Sequence, residues 1–172
     1  MWNKLSPIVR FFIAFIGLLI VFYVFYYSAL YTEILMPPYL NFLAGLSTKI
    51  INLFGFHAEV EADKIISADF GVSIKGGCDG MEATALYLIA IVALPLISTK
   101  HKLIGIASGL VILFMLNIVR IVGLFFAGIY WPAGFEFLHL QGGVIVFIMI
   151  AVILWLIWAN WVFNQKPDIE MK

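Results

Sequence analysis

The sequence predicts an all-α polytopic membrane protein with four transmembrane helices, an amphipathic helix at the interface and a small extracytoplasmic β-hairpin. Its composition is the first reason. Hydrophobic residues make up 64% of the 172 residues and charged residues only 12%, whereas soluble domains are roughly half apolar and about a quarter charged. Uncharged stretches long enough to cross a bilayer also recur along the chain. We expect one membrane domain over residues 1–172, with spans at about 9–32, 80–99, 103–130 and 140–163.

The first apolar stretch runs from Phe11 to Tyr31 and carries no charge. It is longer than the apolar core of a secretory signal, and no small-residue cleavage pattern follows it. It therefore predicts a transmembrane helix. Glu33 and the pair Pro37-Pro38 are expected to end this helix, because proline cannot continue one.

The next stretch, Tyr39 to Phe54, has the period of a helix with two faces. Apolar residues recur on one face, and polar residues lie opposite them: Asn41, Thr48, Lys49 and Asn52. The run is short and carries Lys49, which favours a helix lying at the membrane interface. A re-entrant segment is the alternative that the pattern leaves open.

Residues His57 to Lys75 change to a period of two, with charged residues between apolar ones. This alternation predicts two short strands that turn near Asp63-Lys64. It is the most polar part of the chain. We therefore expect residues 33–78 to form an extracytoplasmic segment that lies in water against the membrane surface.

Three further helices are expected in the second half of the chain. They cover Ala83–Thr99, Leu103–Tyr130 and Leu140–Phe163. A basic turn at Lys100–Lys102 separates the first two, and a short loop at Trp131–Leu138 separates the last two. A polar tail follows from Gln165.

The basic residues predict the orientation of the chain. With four spans, one side of the membrane receives Lys4, Arg10, Lys100, Lys102, Lys166 and Lys172. By the positive-inside rule that side is the cytoplasm, in a multi-pass protein of the cell (inner) membrane. The net charge is zero, which gives no support to binding of nucleic acid.

This topology brings three distant polar residues to one depth on the extracytoplasmic side. Cys78 lies at the outer start of helix two, and His139 at the outer start of helix four. Arg120 lies 18 residues after Lys102, which is roughly 27 Å along helix three at 1.5 Å per residue. The hydrocarbon core is about 30 Å thick, so Arg120 is expected near its outer boundary.

Cys78, the only cysteine in the chain, has two interpretations. A free cysteine is often a small, inert buried residue. Cys78 instead stands in a glycine-rich stretch, where Asp79 and Glu82 have the spacing of a capping box with Asp79 as the N-cap. Unpaired amide donors and the positive end of the helix dipole would lower the thiol pKa there. The charge of Asp79 would oppose this effect if it pointed at the sulfur.

Arg120 and His139 also have two interpretations each. An arginine near a helix end can extend to the interface, but one inside an apolar stretch usually has a partner. Asn117 shares the helix face of Arg120, so we expect the pair to face the bundle. His139 is either an interfacial histidine bonded to backbone or a proton shuttle. His57 and His101 are weaker candidates, since one lies in the outer segment and the other on the cytoplasmic side.

A thiol, a fixed cation and an imidazole at one depth are the parts of nucleophilic acyl transfer. At these residues the chain resembles the exosortase/archaeosortase family of polytopic membrane transpeptidases. The resemblance covers about residues 60–160 and rests on "CDG" from Cys78, "NIVRI" from Asn117 and "HLQGG" from His139. The short chain is similar to a compact form of the family, the exosortase H type.

The resemblance implies that Cys78 is the nucleophile, with Arg120 and His139 as the other catalytic residues. Asn117, Asp79 and Glu82 support them. Many family members have serine or alanine where this chain has Asp79, which changes the electrostatics of the thiol.

The resemblance also implies the reaction and its partners. Members cut a C-terminal sorting signal from exported proteins through a thioester and pass the product to an acceptor. That signal is a short motif, a transmembrane helix and a basic cluster. The substrate tail is expected to dock in the bilayer beside helices two to four.

Other classes remain open to different degrees. A non-catalytic transporter or assembly factor would use Arg120 to bind an anionic group. A haem carrier would need two histidines at one depth in the bundle, and His57 and His139 are both expected outside it. We expect no cofactor and no metal, because one cysteine cannot form a thiolate-rich site and the chain has no HExxH.

Overall fold

The structure, a computed structural model, describes the backbone of residues 5–165 and the side chains of residues 5–139 and 142–165. In chain order its elements are α1 (Pro7–Tyr26), π-helix π1 (Leu30–Leu35), α2 (Met36–Leu53), β1 (Glu59–Glu61), β2 (Lys64–Ile66), β3 (Gly71–Ser73), α3 (Met81–Ala93), α4 (Thr99–Tyr130), α5 (Pro132–Phe137), π-helix π2 (Leu138–Gly142) and α6 (Gly143–Asn164). Lys4, Lys166 and Lys172, three of the residues expected on the cytoplasmic side, lie outside the described residues, as does most of the polar tail.

Three of the described helices, α1, α4 and α6, are long and apolar enough to cross a membrane. The predicted mostly helical membrane protein is therefore confirmed. The predicted second span, residues 80–99, is represented by α3, which has 13 residues. A helix of that length measures about 20 Å, which is shorter than the hydrocarbon core of about 30 Å. The fourth span stays a prediction.

The first helix ends earlier than predicted. Ser6 caps α1 by accepting a bond from the Val9 amide at 3.4 Å, and the helix ends at Tyr26. Glu33 lies in π1, which leads directly into α2. The prolines expected to end a helix instead occupy the first turn of α2. The first-turn amides have no partner within a helix, so proline costs little there.

Helix α2 is amphipathic, as predicted. Its buried face includes Leu40, Leu43 and Ile51. This face packs against α4 and against β1 and β2. The apolar face that the sequence periodicity predicts for α2 is therefore packed against other parts of the protein.

The predicted two-stranded hairpin is a three-stranded antiparallel sheet in the order β1-β2-β3. The expected turn at Asp63-Lys64 lies one residue earlier, at Ala62 and Asp63, and Lys64 already begins β2. Ile65 of β2 is fully buried and pairs with Val60 on one side and Val72 on the other. β2 was missed because Ile65 and Ile66 are adjacent apolar residues, so the strand does not alternate.

The predicted basic turn and the predicted outer loop are both helical. Lys100 to Lys102 form the first turn of α4, after Ser98 as N-cap. Buried His101 joins this turn to the end of α6: its carbonyl accepts from Trp158 Nε1 at 3.2 Å, and its ring meets Trp161. The outer loop is replaced by α5 and π2, which continue into α6.

Helix α3 lies at the centre of the bundle and packs against α1, α4 and α6. Its closest approach to α4 depends on glycine, because a Cβ on Gly109 would overlap the ring of Tyr87. The Tyr87 hydroxyl donates to the Gly105 carbonyl at 2.9 Å. One apolar cluster joins α2, the sheet and the C-terminal half of α4, and a second joins α3, α4 and α6. The loop before α3 lies where these clusters meet.

Candidate active site

A tight glycine loop between β3 and α3 positions Cys78. The Cys78 amide donates to the Lys75 carbonyl at 2.9 Å and closes a turn. Gly77 and Gly80 have φ values of 88° and 75°, in the left-handed region where a Cβ is unfavourable. These two glycines reverse the chain on either side of the cysteine. Cys78 is 5% exposed and packs in the apolar cluster that joins α2, the sheet and α4.

The structure brings the three predicted site residues into contact. Cys78 Sγ lies 3.6 Å from Arg120 Nη2 and 3.9 Å from His139 Nδ1. The same sulfur lies 3.8 Å from the His139 carbonyl oxygen. The sequence placed these residues at one depth, and the fold adds direct contact between their side chains. The sulfur of Cys78 is thus in contact with both an imidazole and a guanidinium group.

Arg120 points into the protein and not to the membrane surface. Its Nη1 donates to the Gly77 carbonyl at 2.9 Å, and its guanidinium lies 5.7 Å from the centre of the Phe147 ring. Its Nε is buried and has no hydrogen-bond partner among residues 5–165. The side chain also needs a glycine beside it, because a Cβ on Gly143 would lie 3.0 Å from Nη2. The interpretation of Arg120 as a residue that extends to the interface is therefore wrong.

Asn117 supports the loop from one helical turn below Arg120. Its Nδ2 donates to the Asp79 carbonyl at 3.0 Å. The Tyr39 hydroxyl donates to the same carbonyl at 3.1 Å. Gly80 lets the loop approach α4 this closely, since a Cβ there would lie 2.9 Å from Asn117 Cγ. Sequence analysis missed Tyr39, because nothing in the pattern of α2 indicates which loop it meets.

The predicted capping box is only half formed. Asp79 Oδ1 accepts from the Met81 amide at 3.2 Å, but the N-cap position of α3 is Gly80. The Glu82 carboxylate faces Tyr23, whose hydroxyl donates to it at 3.5 Å. The left-handed turn at Gly80 shifts the helix start by one residue. Glu82 is thereby directed away from the loop amides.

Asp79 is a buried carboxyl group beside the candidate nucleophile. Its side chain is 1% exposed, and Oδ2 has no hydrogen-bond partner in the described part of the chain. Burial raises the pKa of Asp79, and the bond from the Met81 amide only partly opposes this rise. The carboxyl also lies close enough to raise the pKa of Tyr31 and Tyr39, in addition to the effect of burial on each phenol.

The thiol and the imidazole are both shifted towards their neutral forms. Burial raises the pKa of Cys78; the positive charge of Arg120 lowers it and the charge of Asp79 raises it. Burial lowers the pKa of His139, and the charges of Arg120 and Lys75 lower it further. The expected lowering of the thiol pKa is therefore wrong, because desolvation outweighs the favourable charge. The resting pair is a neutral thiol beside an imidazole that can accept its proton.

The His139 ring is held by an aromatic neighbour. It stacks on Phe135 of α5, with ring centres 5.0 Å apart. His57 is exposed in the segment before β1, and His101 is buried at the opposite end of α4. Neither reaches the site.

Alkylation of Cys78 provides a test of these electrostatics, because only the thiolate reacts and the chain has no second cysteine. We expect the midpoint of iodoacetamide reactivity at a higher pH in the folded protein than in the same protein denatured in detergent. Asp79→Asn removes a negative charge and should lower the midpoint. Arg120→Gln removes a positive charge and should raise it.

Glu59→Gln, at an exposed position of β1, is the control for a general change in charge and should leave the midpoint unchanged. A folded midpoint below the denatured one would contradict the raised pKa of Cys78. Shifts of the same sign in the Asp79 and Arg120 variants would contradict the assignment of its causes.

A family model described as "Transmembrane exosortase (Exosortase_EpsH)" matches residues 6–156. The matched region includes Cys78, Arg120 and His139 and covers most of the chain. Searches of curated proteins and of solved structures found no match.

Proposed function

Because the chain belongs to the transmembrane exosortase family, we propose that it is a membrane cysteine transpeptidase that cuts a C-terminal sorting signal from exported proteins. The family suggests a membrane sorting transpeptidase. The contact of Cys78 with Arg120 and His139 is the observation that carries the residue assignment. Cys78 is the nucleophile, His139 moves the proton, and Arg120 stabilises negative charge.

The reaction begins from the neutral pair. As Cys78 Sγ attacks the carbonyl carbon of the scissile peptide bond, the thiol proton passes to His139 Nδ1, which lies 3.9 Å away. The tetrahedral intermediate collapses, the carbon–nitrogen bond breaks, and His139 returns the proton to the leaving amine. A thioester between Cys78 and the substrate remains. An acceptor nucleophile then attacks the thioester carbonyl, and the sulfur regains a proton as it leaves.

Arg120 has two groups available for this chemistry. Nη2 contacts the sulfur at 3.6 Å and stabilises negative charge on it during proton transfer. Nε is a buried donor without an acceptor in the described residues, so it is available to an oxyanion. Donors that are fixed before the reaction stabilise an oxyanion without reorganisation. The bond from Nη1 to the Gly77 carbonyl ties the guanidinium to the loop that carries the nucleophile.

We place the site at the extracytoplasmic face of the cell membrane, with α3 as the core of a fourth span. Neighbouring helices surround α3 on three sides, so protein contacts replace much of the lipid contact that a longer helix would need. Residues 94–98 continue the chain to α4. Lys100 and Lys102 at the start of α4 then face the cytoplasm. The partners are exported proteins whose tails combine a short motif, an apolar helix and a basic cluster.

The test is direct detection of the thioester. The chain is co-expressed with an exported protein of the same genome that ends in such a tail, and both carry different tags. We expect a band of combined mass that hydroxylamine removes and that Cys78→Ala does not form. The proposal is wrong if the tail is processed normally in the Cys78→Ala variant.

A further inference from the structure

A cleft separates α1 from α6, with α3 as its floor. Its outer part is a cavity of about 640 Å³ beside the glycine loop. Residues of α1, π1, α2, the loop, α3 and α6 line this cavity. They include Tyr26, Thr32, Gly76, Gly77, Glu82 and Ile145. The helix walls offer hydroxyl and carboxylate groups, and the two glycines expose main chain.

A separate, wholly apolar cavity of about 200 Å³ lies nearer the opposite end of the same three helices, between Phe15 of α1, Leu86 of α3 and Val152 of α6. Phe11 stacks on Trp155 with ring centres 6.2 Å apart and bridges α1 and α6 at this end. Polar groups therefore line the cavity beside the glycine loop, whereas the second cavity presents only apolar surface.

The polar end of the cleft reaches the candidate active site. A small cavity of about 10 Å³ shares Gly77, Glu82 and Val144 with the cleft and extends to Arg120. Gly77 contributes its carbonyl to Arg120 Nη1 and directly precedes Cys78. A chain lying on Gly76 and Gly77 would therefore run beside the nucleophile.

We propose that the cavity beside the glycine loop, at one end of the cleft between α1 and α6, binds the extended cleavage segment of the substrate's sorting signal on Gly76 and Gly77. This inference rests on the proposed function. The substrate enters laterally from the bilayer on the side of α1, because α1 is the least buried of the long helices. Glu82 accepts a hydrogen bond from a donor in the extended segment, either a main-chain amide or a polar side chain. The sequence had instead placed the tail beside helices two to four.

The polarity of the cleft distinguishes it from a second groove between α4 and α6. That groove has a volume of about 350 Å³ and also touches Arg120, but the rest of its lining is apolar. An extended peptide has one amide and one carbonyl per residue that must find partners away from water. The α1–α6 cleft supplies them through Tyr26, Thr32, Glu82 and the exposed main chain. The α4–α6 groove supplies only the guanidinium.

Site-specific photocrosslinking in the Cys78→Ala variant tests the location without depending on catalysis. p-Benzoylphenylalanine replaces Ile145 in the α1–α6 cleft, Val119 in the α4–α6 groove, or Ile112 on an open face of α4. The three side chains are 57%, 66% and 41% exposed, so Val119 is the control for accessibility, because it is more exposed than Ile145. The probe is the tagged, tailed protein of the thioester test. A second probe replaces its apolar helix and motif by polyleucine.

We expect the adduct at Ile145 to exceed those at Val119 and Ile112 severalfold with the natural tail, and to fall to their level with polyleucine. Equal adducts at all three positions, or a dominant adduct at Val119, would overturn the cleft assignment. An Ile145 adduct with a probe that the wild-type protein never cuts would contradict the proposed function and not the cleft. Cutting without an Ile145 adduct would contradict the cleft alone.

A second variant tests the cleft through activity. Ile145→Trp fills the outer cavity and should lower processing about tenfold, the effect of roughly 1.4 kcal/mol of lost binding free energy. Ile112→Trp adds the same bulk on α4 outside the cleft and should not change processing. Equal activity of the two tryptophan variants would contradict the proposed position of the substrate.

Discussion

Replacing Cys78 by alanine is expected to abolish cleavage of a tailed substrate, with a loss of at least about a thousandfold, because removal of a nucleophile has effects of this size or larger. No other cysteine exists in the chain to take its place. Cys78→Ser should be almost as inactive, because a buried alcohol is far harder to deprotonate than a thiol and His139 is positioned for sulfur. The measurement is the ratio of cut to uncut substrate on immunoblots of cells that contain equal amounts of each variant.

A control must separate chemistry from packing, since Cys78 is also part of the apolar cluster that joins α2, the sheet and α4. Ile118 is a buried aliphatic member of the same cluster and carries no reactive group. Ile118→Val typically costs about 0.5–1.5 kcal/mol of stability and should leave cleavage near the wild-type level. Full processing by Cys78→Ala would contradict the proposed enzyme. If function then still depended on Arg120, a transporter or assembly factor that binds an anion would be favoured.

Replacing Arg120 by lysine is expected to lower cleavage about a hundredfold, the scale of losing one preorganised donor to an oxyanion. The guanidinium fork reaches two targets at once, the Gly77 carbonyl at 2.9 Å and Cys78 Sγ at 3.6 Å, and still leaves Nε free of partners in the described residues. A lysine ammonium keeps the charge but cannot hold this planar arrangement. Arg120→Gln also removes the charge and should be less active than Arg120→Lys.

Gly123 provides the matched control on the same helix. It lies almost one turn beyond Arg120, and an added Cβ there would meet no atom within 4 Å. Gly123→Ala should therefore cleave at the wild-type rate. Initial rates are measured on membranes with a fixed amount of enzyme. A wild-type rate for Arg120→Lys would show that the charge suffices and that the geometry of the fork is unimportant.

The apolar surroundings of Cys78 explain why its thiol is neutral at rest. Cys78 lies within the apolar cluster, where an unpaired thiolate would be costly. The positive charge of Arg120 offsets only part of the effect of burial on the pKa of Cys78, and the charge of Asp79 raises that pKa further. In the proposed mechanism, ionisation of the thiol is coupled to attack on the substrate, when negative charge moves from sulfur to the oxyanion. His139, with its lowered pKa, would accept the proton at that step.

Much of the site could be predicted from sequence because membrane geometry limits the alternatives. An apolar stretch must cross the bilayer as a helix, and each residue advances it by about 1.5 Å. The position of Arg120 in its helix therefore determines its depth, and the starts of the neighbouring helices determine the depths of Cys78 and His139.

Depth, however, does not determine rotation or contact. Arg120 meets Cys78 because the bundle packs closely around α3, with Gly109 beneath Tyr87 and Gly143 beside the guanidinium. The burial that raises the thiol pKa and the bond from Tyr39 to the loop both follow from this packing. The start of α3 at Gly80, the third strand and the cleft between α1 and α6 likewise depend on contacts between residues far apart in the chain.

The amino-acid sequence thus determined, by hydrophobic periodicity and helix rise, that this is a helical membrane protein with a cysteine, an arginine and a histidine at one level. Only the tertiary structure decided that these side chains touch, that the thiol is neutral, and that a polar cleft leads to it. The physical reason is that periodicity reports the environment of each helix face, whereas the orientation of one helix against another is set by side chains and glycines that meet only in the folded protein.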